Sequence, residues 1–165
     1  MNIIYRSLCA ALLVLIFAIS FCGCAKKYRD DIRCEQLARE MYDEVDSFGE
    51  LSSYSEDDVQ LLFGNTSLFD DFSVIYSTDA NDINEIGVFH APDERSAKEL
   101  LTVVKGYINR MKETKSAFIA SYAPREIPKL EGAEAKKYGN YVIYAILGEA
   151  DLADALDEAK DTLEK

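Results

Sequence analysis

The stretch NYVIYAIL, residues Asn140–Leu147, is nearly continuous in apolar character. Gly139 stands before it and Gly148 ends it. A short apolar run bounded in this way is typical of a strand that lies well inside a sheet. We therefore expect a sheet at the centre of the fold, with this strand as one of its most buried members.

Two earlier segments are also predicted to be strands, but their apolar residues are spaced differently. Apolar side chains recur at every second position over residues 72–76 and again over 86–90. Alternation with a period of two predicts two strands, since successive side chains of a strand point to opposite faces. The acidic stretch Asp79–Asn84 lies between them, and we expect it to be the loop of a β-hairpin.

Four segments repeat apolar residues at intervals of three and four, as amphipathic helices do. They are residues 30–48, 55–64, 92–122 and 150–163. Asp30 and Asp31 suit the start of the first helix, where acidic side chains face the helix dipole. Ser55 is expected to cap the second helix, with Asp58 three residues on. Gly64 is expected to end it.

The third helix has the longest apolar stripe and the best-defined end. Its stripe consists of Ala97, Leu100, Leu101, Val104, Ile108, Met111, Phe118 and Tyr122. This spacing predicts the face that packs on the rest of the domain. Pro124 disfavours helical geometry at the residue before it, so the helix ends there. Residues 124–137 are expected to be a loop that contains a helical turn.

The resulting element order is α-α-β-β-α-β-α. Such an order is typical of a two-layer α+β domain. We expect a small three-stranded, mainly antiparallel sheet with the helices packed on one face.

The N-terminus indicates where the protein works. Arg6 precedes an uncharged apolar run, Leu8–Ile19, which is shorter than the roughly 20 residues of a membrane-spanning helix. A basic head, an apolar middle and small residues at a cut site are typical of a secretory signal. The sequence FCGC at residues 21–24 resembles a lipobox, in which Gly23 is the small residue before the lipidated Cys24. Phe21 and Cys22 depart from the commonest residues at their positions.

These features divide the chain into three parts. Residues 1–23 are the expected lipoprotein signal peptide, residues 24–29 the lipidated cysteine with a short basic tether, and residues 30–165 a single domain. Cys24 is expected to carry a diacylglycerol, with or without a further N-linked acyl chain, and two or more chains anchor stably where one does not. No other cofactor is expected. The predicted location is the extracytoplasmic face of the cell membrane.

Charge and cysteine content exclude several classes of function. Removing residues 1–23 leaves 17 Lys and Arg against 30 Asp and Glu, and so acidic a domain is repelled by nucleic acid. Cys34 is then the only cysteine not lost with the leader or consumed by lipid, so no intramolecular disulfide is expected. Its place on an apolar helix stripe predicts a buried small side chain.

Three further motifs, taken in order, resemble a known family. They are NEIGVF at Asn84–Phe89, SYAPRE at Ser121–Glu126 and YGNYVIY at Tyr138–Tyr144. With the lipobox they resemble an uncharacterised lipoprotein family of Gram-positive, clostridial-type bacteria that carries a domain of unknown function. The resemblance covers roughly residues 30–160. It implies a lipid-anchored extracytoplasmic protein and implies no catalytic residues.

The sequence provides one candidate contact patch, expected around the loop at Pro124. Its residues are Tyr122, Pro124, Glu126, Tyr138, Asn140 and Tyr141. Packing at the rim of the core is the alternative role of the tyrosines. No catalytic residue is predicted, and the single histidine, His90, is expected to be an ordinary residue at a strand end.

The acidic hairpin loop matches a calcium site in part. Asp79 and Asn81 match the first two ligand positions of an EF-hand loop, but Ile83 fails the third. His90 stands where the bidentate Glu is required. We expect an acidic loop, with weak calcium binding through Asp79 and Asn81 as the alternative.

Three functions are consistent with these features. The first is a non-enzymatic interaction module of the cell envelope, whose partner is membrane lipid through Cys24 together with an envelope protein or wall component. The second is an envelope hydrolase that uses a pair of carboxylates. The third is small-ligand capture within a transport system.

Overall fold

The computed structural model describes residues 28–46, 49–64 and 66–164. The predicted leader 1–23, Cys24 and the end of the first predicted helix at Phe48 lie outside these residues. The helices are α1 (Cys34–Asp43), α2 (Glu56–Phe63), α3 (Glu94–Tyr122), α4 (Ile127–Gly132) and α5 (Glu149–Leu163). The strands are β1 (Leu51–Ser53), β2 (Asp71–Ser77), β3 (Glu85–His90), β4 (Glu134–Tyr138) and β5 (Tyr141–Ile146).

The strands form one antiparallel sheet in the order β1-β2-β3-β5-β4. The α+β class, the antiparallel pairing and the hairpin of β2 and β3 are confirmed. The sheet has five strands instead of the predicted three. The two strands that sequence analysis missed, β1 and β4, are its edges.

Both missed strands lack the pattern by which strands are recognised. β1 has only three residues, and β4 reads EAKKY, with no β-branched residue and with charges on its exposed side. Charged side chains at a sheet edge discourage pairing with another chain. They also remove the apolar alternation, so the sequence of residues 134–138 indicates a loop where the structure has a strand.

Helices cover both faces of the sheet, and the prediction of a single covered face was wrong. α1 and α5 pack with Ile86, Val88 and Ile143 on one face. α2, α3 and α4 pack with Phe89 and Val142 on the other. Every residue of β5 is buried, because a strand between two helical layers needs apolar side chains on both sides. This burial on both sides explains why NYVIYAIL is apolar almost without interruption.

Most helix ends follow their predicted signals. Ser55 and Asp58 form a reciprocal capping box at the start of α2, and Gly64 follows the helix with a φ of 79°. α3 begins after Asp93, whose side chain accepts from the backbone N–H of Ser96, and it ends two residues before Pro124. The predicted turn after Pro124 is a 3-10 turn followed by α4.

The first helix starts later than predicted. α1 begins at Cys34, so Asp30 and Asp31 precede it and make other contacts. The domain itself starts earlier, since the ring of Tyr28 lies 5.8 Å from that of Tyr138. The backbone N–H of Arg29 donates to the carbonyl of Leu163 at 2.8 Å. The described chain is therefore packed on the domain from its first residue.

Within the described part of the chain, none of the helices combines the length and the apolar character needed to cross a membrane.

Candidate functional site

A carboxyl group is buried where β3 begins. Glu85 is 5 % exposed and lies on the face of the sheet that α3 covers. The hydroxyls of Tyr54 and Tyr107 each donate to it at 2.8 Å, and that of Tyr144 donates at 2.5 Å. We call Glu85 and these three tyrosines the Glu85 cluster.

The sheet register and one glycine bring the Glu85 cluster together. Tyr144 of β5 lies opposite Gly87 of β3. A Cβ atom at position 87 would lie 1.9 Å from Cε1 of Tyr144, so the ring crosses β3 where no side chain stands. The ring can then reach along β3 to Glu85. This contact explains why Glu85 and Gly87 occur together in NEIGVF.

Burial dominates the electrostatics of the cluster. It raises the pKa of Glu85, although hydrogen bonds from Tyr144, Tyr107 and Tyr54 act in the opposite direction. Burial beside this carboxyl also raises the pKa of all three tyrosines, so each hydroxyl keeps its proton and donates. A carboxyl bonded by three hydroxyls connects β3, β5, α3 and the chain after β1. Its role is structural, because these hydrogen bonds stabilise the packing of the elements that they connect.

A second polar cluster lies at the other end of β3. The ring of His90 lies between two carboxylates, with Nδ1 2.5 Å from Asp70 Oδ1 and Nε2 2.9 Å from Asp30 Oδ1. Asn140 Nδ2 donates to the second oxygen of Asp30 at 3.2 Å. We call His90 and these three partners the His90 cluster, and it holds the N-terminal segment against the end of the sheet.

His90 is less exposed than its two carboxylate partners. Its side chain is 16 % exposed, whereas those of Asp30 and Asp70 are 58 % and 54 % exposed. Burial lowers the pKa of His90, but hydrogen bonds to Asp70 and Asp30 outweigh it and the net direction is upward. The sequence indicates an ordinary strand-end residue at His90 and does not show its two carboxylate partners, which are distant along the chain.

The predicted contact patch is not one surface. Tyr122, Pro124 and Glu126 lie beside Asn81, at the hairpin-loop end of β3. Glu126 accepts from the backbone N–H of Ile83 at 3.3 Å. The other three residues lie at the opposite end, where Tyr141 pairs with His90. The sequence does not show strand order, so the prediction combined residues from the two ends of β3 into one patch.

The tyrosines of the predicted patch also differ in exposure. Tyr138 is 8 % exposed and Tyr141 is fully buried. The Tyr141 hydroxyl donates to the carbonyl of Ile32 at 2.6 Å and accepts from its N–H at 2.9 Å. Tyr122 is 72 % exposed. Of these three rings, only that of Tyr122 presents most of its surface to solvent.

Glu126 belongs to an ion-pair network that fixes the hairpin loop. Lys129 Nζ lies 2.8 Å from Glu126 and 3.0 Å from Asp82, and all three side chains are at least four-fifths buried. Burial lowers the pKa of Lys129, but its bonds to Glu126 and Asp82 raise it overall. The network joins the loop before β3 to the start of α4.

The loop residues considered for calcium form a turn. Asp79 Oδ1 accepts from the backbone N–H of Asn81 at 2.8 Å and from its side chain at 3.3 Å. Across the described ranges, no group of three or more His, Cys, Asp and Glu side chains is placed to hold a metal. The geometry is that of a turn stabilised by an aspartate side chain.

Cys34 lies in the core, as its place on the helix stripe predicted. It is a free thiol with no exposed surface. Burial raises its pKa well above the ordinary value, with Asp71 adding to the effect. A thiol in this state is unreactive.

The apolar stripe of α3 divides into a buried half and an exposed half. Ala97, Leu100, Val104 and Ile108 are buried as predicted. Phe118 is 61 % exposed, and its ring lies 4.6 Å from that of Tyr122. The prediction that these last two positions pack on the domain was wrong, because the buried residue at this end of α3 is Ile119, which is 5 % exposed and lies between them in sequence.

A groove of about 520 Å³ lies between α2 and the middle of α3. Leu61, which is 83 % exposed, lines it together with Met111 and Lys115. Met111, Phe118 and Tyr122 lie on one side of α3, since they are separated by seven and four residues. Leu61, Phe118 and Tyr122 are largely exposed, whereas Met111 is partly buried and packs against the core. We call these four residues the exposed stripe.

Comparison with known families gives one match. Residues 44–147 match the family described as a domain of unknown function, DUF4358. The chain belongs to this family. No curated protein and no solved structure matches the chain.

The DUF4358 match includes the sheet and the helices on one of its faces, and it leaves out the helices on the other face. It covers all five strands and the helices α2, α3 and α4. α1 and α5, which together cover the opposite face, fall outside it. The Glu85 cluster and the exposed stripe both lie within the DUF4358 region, whereas Asp30 of the His90 cluster precedes it.

Proposed function

We propose that this DUF4358 protein is a membrane-anchored extracytoplasmic lipoprotein whose domain is a non-enzymatic interaction module of the cell envelope. The observation that carries the proposal is the exposed stripe. Soluble domains rarely expose contiguous apolar side chains, and those that do commonly use them for binding. An envelope component is the expected partner of this surface, since the anchor holds the domain at the membrane.

The position of the first described residue supports the proposed anchor. Three residues separate Cys24 from Tyr28, which already packs against Tyr138. A chain of this length reaches at most about 14 Å when extended. A diacylglycerol on Cys24 would therefore hold the folded domain next to the lipid headgroups, without a stalk.

The two polar clusters have a different character from the exposed stripe. The Glu85 oxygens accept from three hydroxyls, and both ring nitrogens of His90 have a carboxylate partner. These groups bind one another, whereas the described residues leave 61–83 % of the surface of Leu61, Phe118 and Tyr122 uncovered. The contrast supports a surface interaction as the activity of the domain.

A Cys24→Ser variant tests the anchor. The wild type is expected to incorporate a radiolabelled palmitate and to fractionate with membranes, and Cys24→Ser is expected to lose the label. Cys22→Ser is the matched control, because it removes the neighbouring thiol and is expected to keep the label. A labelled Cys24→Ser protein would contradict the proposed lipidation site.

A further inference from the structure

We propose that residues 28–31 form a strap that closes on the domain when His90 is protonated and opens when His90 is neutral. We call these four residues the strap. The chain contains a single histidine, so one imidazole controls this segment. The effect of the strap on the position of the domain rests on the lipid anchor proposed above, whereas its opening and closing do not.

Both ring nitrogens of His90 lie within hydrogen-bonding distance of a carboxylate oxygen. Nδ1 lies 2.5 Å from Asp70 Oδ1, and Nε2 lies 2.9 Å from Asp30 Oδ1. An ionised carboxylate only accepts hydrogen bonds, and a neutral imidazole has one N–H. Both contacts are therefore hydrogen bonds when the ring is protonated and carries two N–H groups. The geometry is that of an imidazolium held between two aspartates.

Other titratable groups also face His90. Asp71 pairs with it across β2, and its carboxylate accepts from the backbone N–H of Cys34 at 2.8 Å. The thiol of Cys34 contacts the backbone of His90. Tyr141 pairs with His90 across β5, with ring centres 4.8 Å apart. Burial raises the pKa of Tyr141 to about 12 and also raises that of Cys34, so both keep their protons. The imidazole is therefore the group that changes charge near neutral pH.

The contact with Asp30 is the one that a neutral ring gives up. Burial lowers the pKa of His90, but hydrogen bonds to Asp70 and Asp30 raise it overall. Above this pKa the ring has one N–H for two carboxylates. The Asp70 contact is the shorter, and the backbone N–H of Asp70 also donates to the His90 carbonyl at 2.9 Å. The remaining N–H therefore stays on Asp70, and the lone pair on Nε2 repels the carboxylate of Asp30.

Asp30 is one of several consecutive attachments of the strap. The ring of Tyr28 lies 5.8 Å from that of Tyr138. The backbone N–H of Arg29 donates to the carbonyl of Leu163 at 2.8 Å. Because these attachments belong to neighbouring residues, loss of the bond at Asp30 weakens the hold on the other two.

Ile32 is the fixed end of the strap. It is 6 % exposed, and the Tyr141 hydroxyl bonds to both its N–H and its carbonyl. Opening therefore ends at this residue. With a lipid on Cys24, the free tether then runs to Ile32 and reaches at most about 28 Å, against about 14 Å to Tyr28 when the strap is closed. A neutral His90 thus gives the exposed stripe a longer reach toward its partner.

Hydrogen exchange of the Arg29 amide tests the strap, because this N–H is bonded to the Leu163 carbonyl when the strap is closed. Exchange in the full-length chain is followed by NMR from about pH 5.5 to about pH 8.5, and each rate is divided by the intrinsic rate at that pH. The ring resonances of the single histidine report its protonation in the same samples. Protection of Arg29 is expected to fall about fivefold as His90 loses its proton, as for one partly exposed ion pair.

Two variants and one reference amide make the result specific. Asp30→Asn has a side chain that can accept from a protonated ring or donate to a neutral one, so Arg29 protection is expected to be independent of pH. Asp31→Asn removes the neighbouring carboxylate, which pairs with Arg29, and is expected to keep the fivefold change. The Ser77 amide donates to the Asn84 carbonyl at the other end of β3, and its protection is expected to stay constant.

Three outcomes would overturn the strap. Constant protection of Arg29 while His90 titrates would show that the imidazole does not control the segment. Equal losses at Arg29 and Ser77 would assign the effect to the whole domain. An unchanged response in Asp30→Asn would show that His90 does not act through Asp30. None of these measurements needs a lipid on Cys24, so failure of the anchor is seen separately, as a wild type that takes up no palmitate.

Discussion

The Glu85 cluster and the exposed stripe depart from the usual rule of burial in opposite directions. Glu85 is a carboxyl with 5 % exposure, and Phe118 is an aromatic residue with 61 % exposure. α3 contributes to both regions, through Tyr107 in its buried half and Phe118 in its exposed half. Because α3 carries residues of both regions, the difference in exposure comes from what surrounds each side chain.

A buried polar group and an exposed apolar patch are both informative, because each costs free energy unless something compensates it. In the Glu85 cluster the compensation is inside the molecule, in three hydroxyl donors. For the exposed stripe, the described residues do not provide this compensation, so we propose that a partner provides it.

The largest effect is expected from removing the acceptor of the Glu85 cluster. Glu85→Leu leaves three tyrosine hydroxyls without their acceptor, and each buried unsatisfied group costs about 1–3 kcal/mol. We expect the free energy of unfolding to fall by on the order of 4 kcal/mol, measured by urea unfolding of the full-length chain. Glu85→Gln keeps an acceptor oxygen and should cost less. Equal stability of Glu85→Leu and wild type would show that the cluster does not hold the fold.

A smaller effect is expected at Gly87. Gly87→Ala places a Cβ against the Tyr144 ring, whose hydroxyl is already held by Glu85. Overpacking of this kind costs about 1–3 kcal/mol, and we expect the upper end of that range in thermal or urea unfolding.

Gly106→Ala in α3 provides the matched control for Gly87→Ala. The nearest atom to a Cβ at position 106 is Arg110 Nη1, at 3.6 Å. This substitution should stabilise the protein by about 0.5–1 kcal/mol, since alanine favours a helix interior. A Gly87→Ala variant as stable as Gly106→Ala would mean that Tyr144 is not confined by the cluster.

The His90 cluster should give a modest dependence of stability on pH. Its hydrogen bonds to Asp70 and Asp30 raise the pKa of His90 above 6.5 against the opposing effect of burial. The added stability is fully present below that unfolded value and is lost as pH rises through the raised pKa. Relative to His90→Gln, wild type should be stabilised by about 1 kcal/mol near pH 5.5, since both carboxylates are largely exposed. A difference that grew toward alkaline pH would contradict the sign.

The smallest effect on stability is expected in the exposed stripe. Phe118→Ser with Tyr122→Ser removes two rings that are 61 % and 72 % exposed. Unfolding should change by less than about 0.5 kcal/mol, as for surface positions in general. A loss of stability comparable to that of Gly87→Ala would show that these rings pack within the molecule and would remove the contrast with the Glu85 cluster.

The sequence predicted those parts of the molecule whose pattern is local. NYVIYAIL, the β2–β3 alternation and the Ser55 cap each depend on neighbouring residues, and all three are confirmed. EAKKY was missed because an edge strand needs few apolar residues. Helical layers on both faces were missed because the sequence does not show which side of a strand a helix covers.

The candidate site was harder to predict because it depends on contacts between distant residues. Glu85 gains its role from Tyr54, Tyr107 and Tyr144, which lie up to 59 positions away. Periodicity placed Phe118 and Tyr122 on the packed stripe of α3, and for these two residues it was wrong. It did not show that Ile119 is the buried residue at this end of α3, which leaves Phe118 and Tyr122 exposed.

The accessibility of position 118 in cells tests most directly whether a partner covers the exposed stripe. Cys34 is fully buried and Cys24 is the proposed lipid attachment site, so Phe118→Cys introduces the only exposed thiol expected in the mature chain. A charged maleimide applied to spheroplasts should label this cysteine much more slowly than Ala153→Cys, and detergent should make the two rates similar. Equal labelling of positions 118 and 153 before detergent would contradict the proposal that an envelope component covers the exposed stripe.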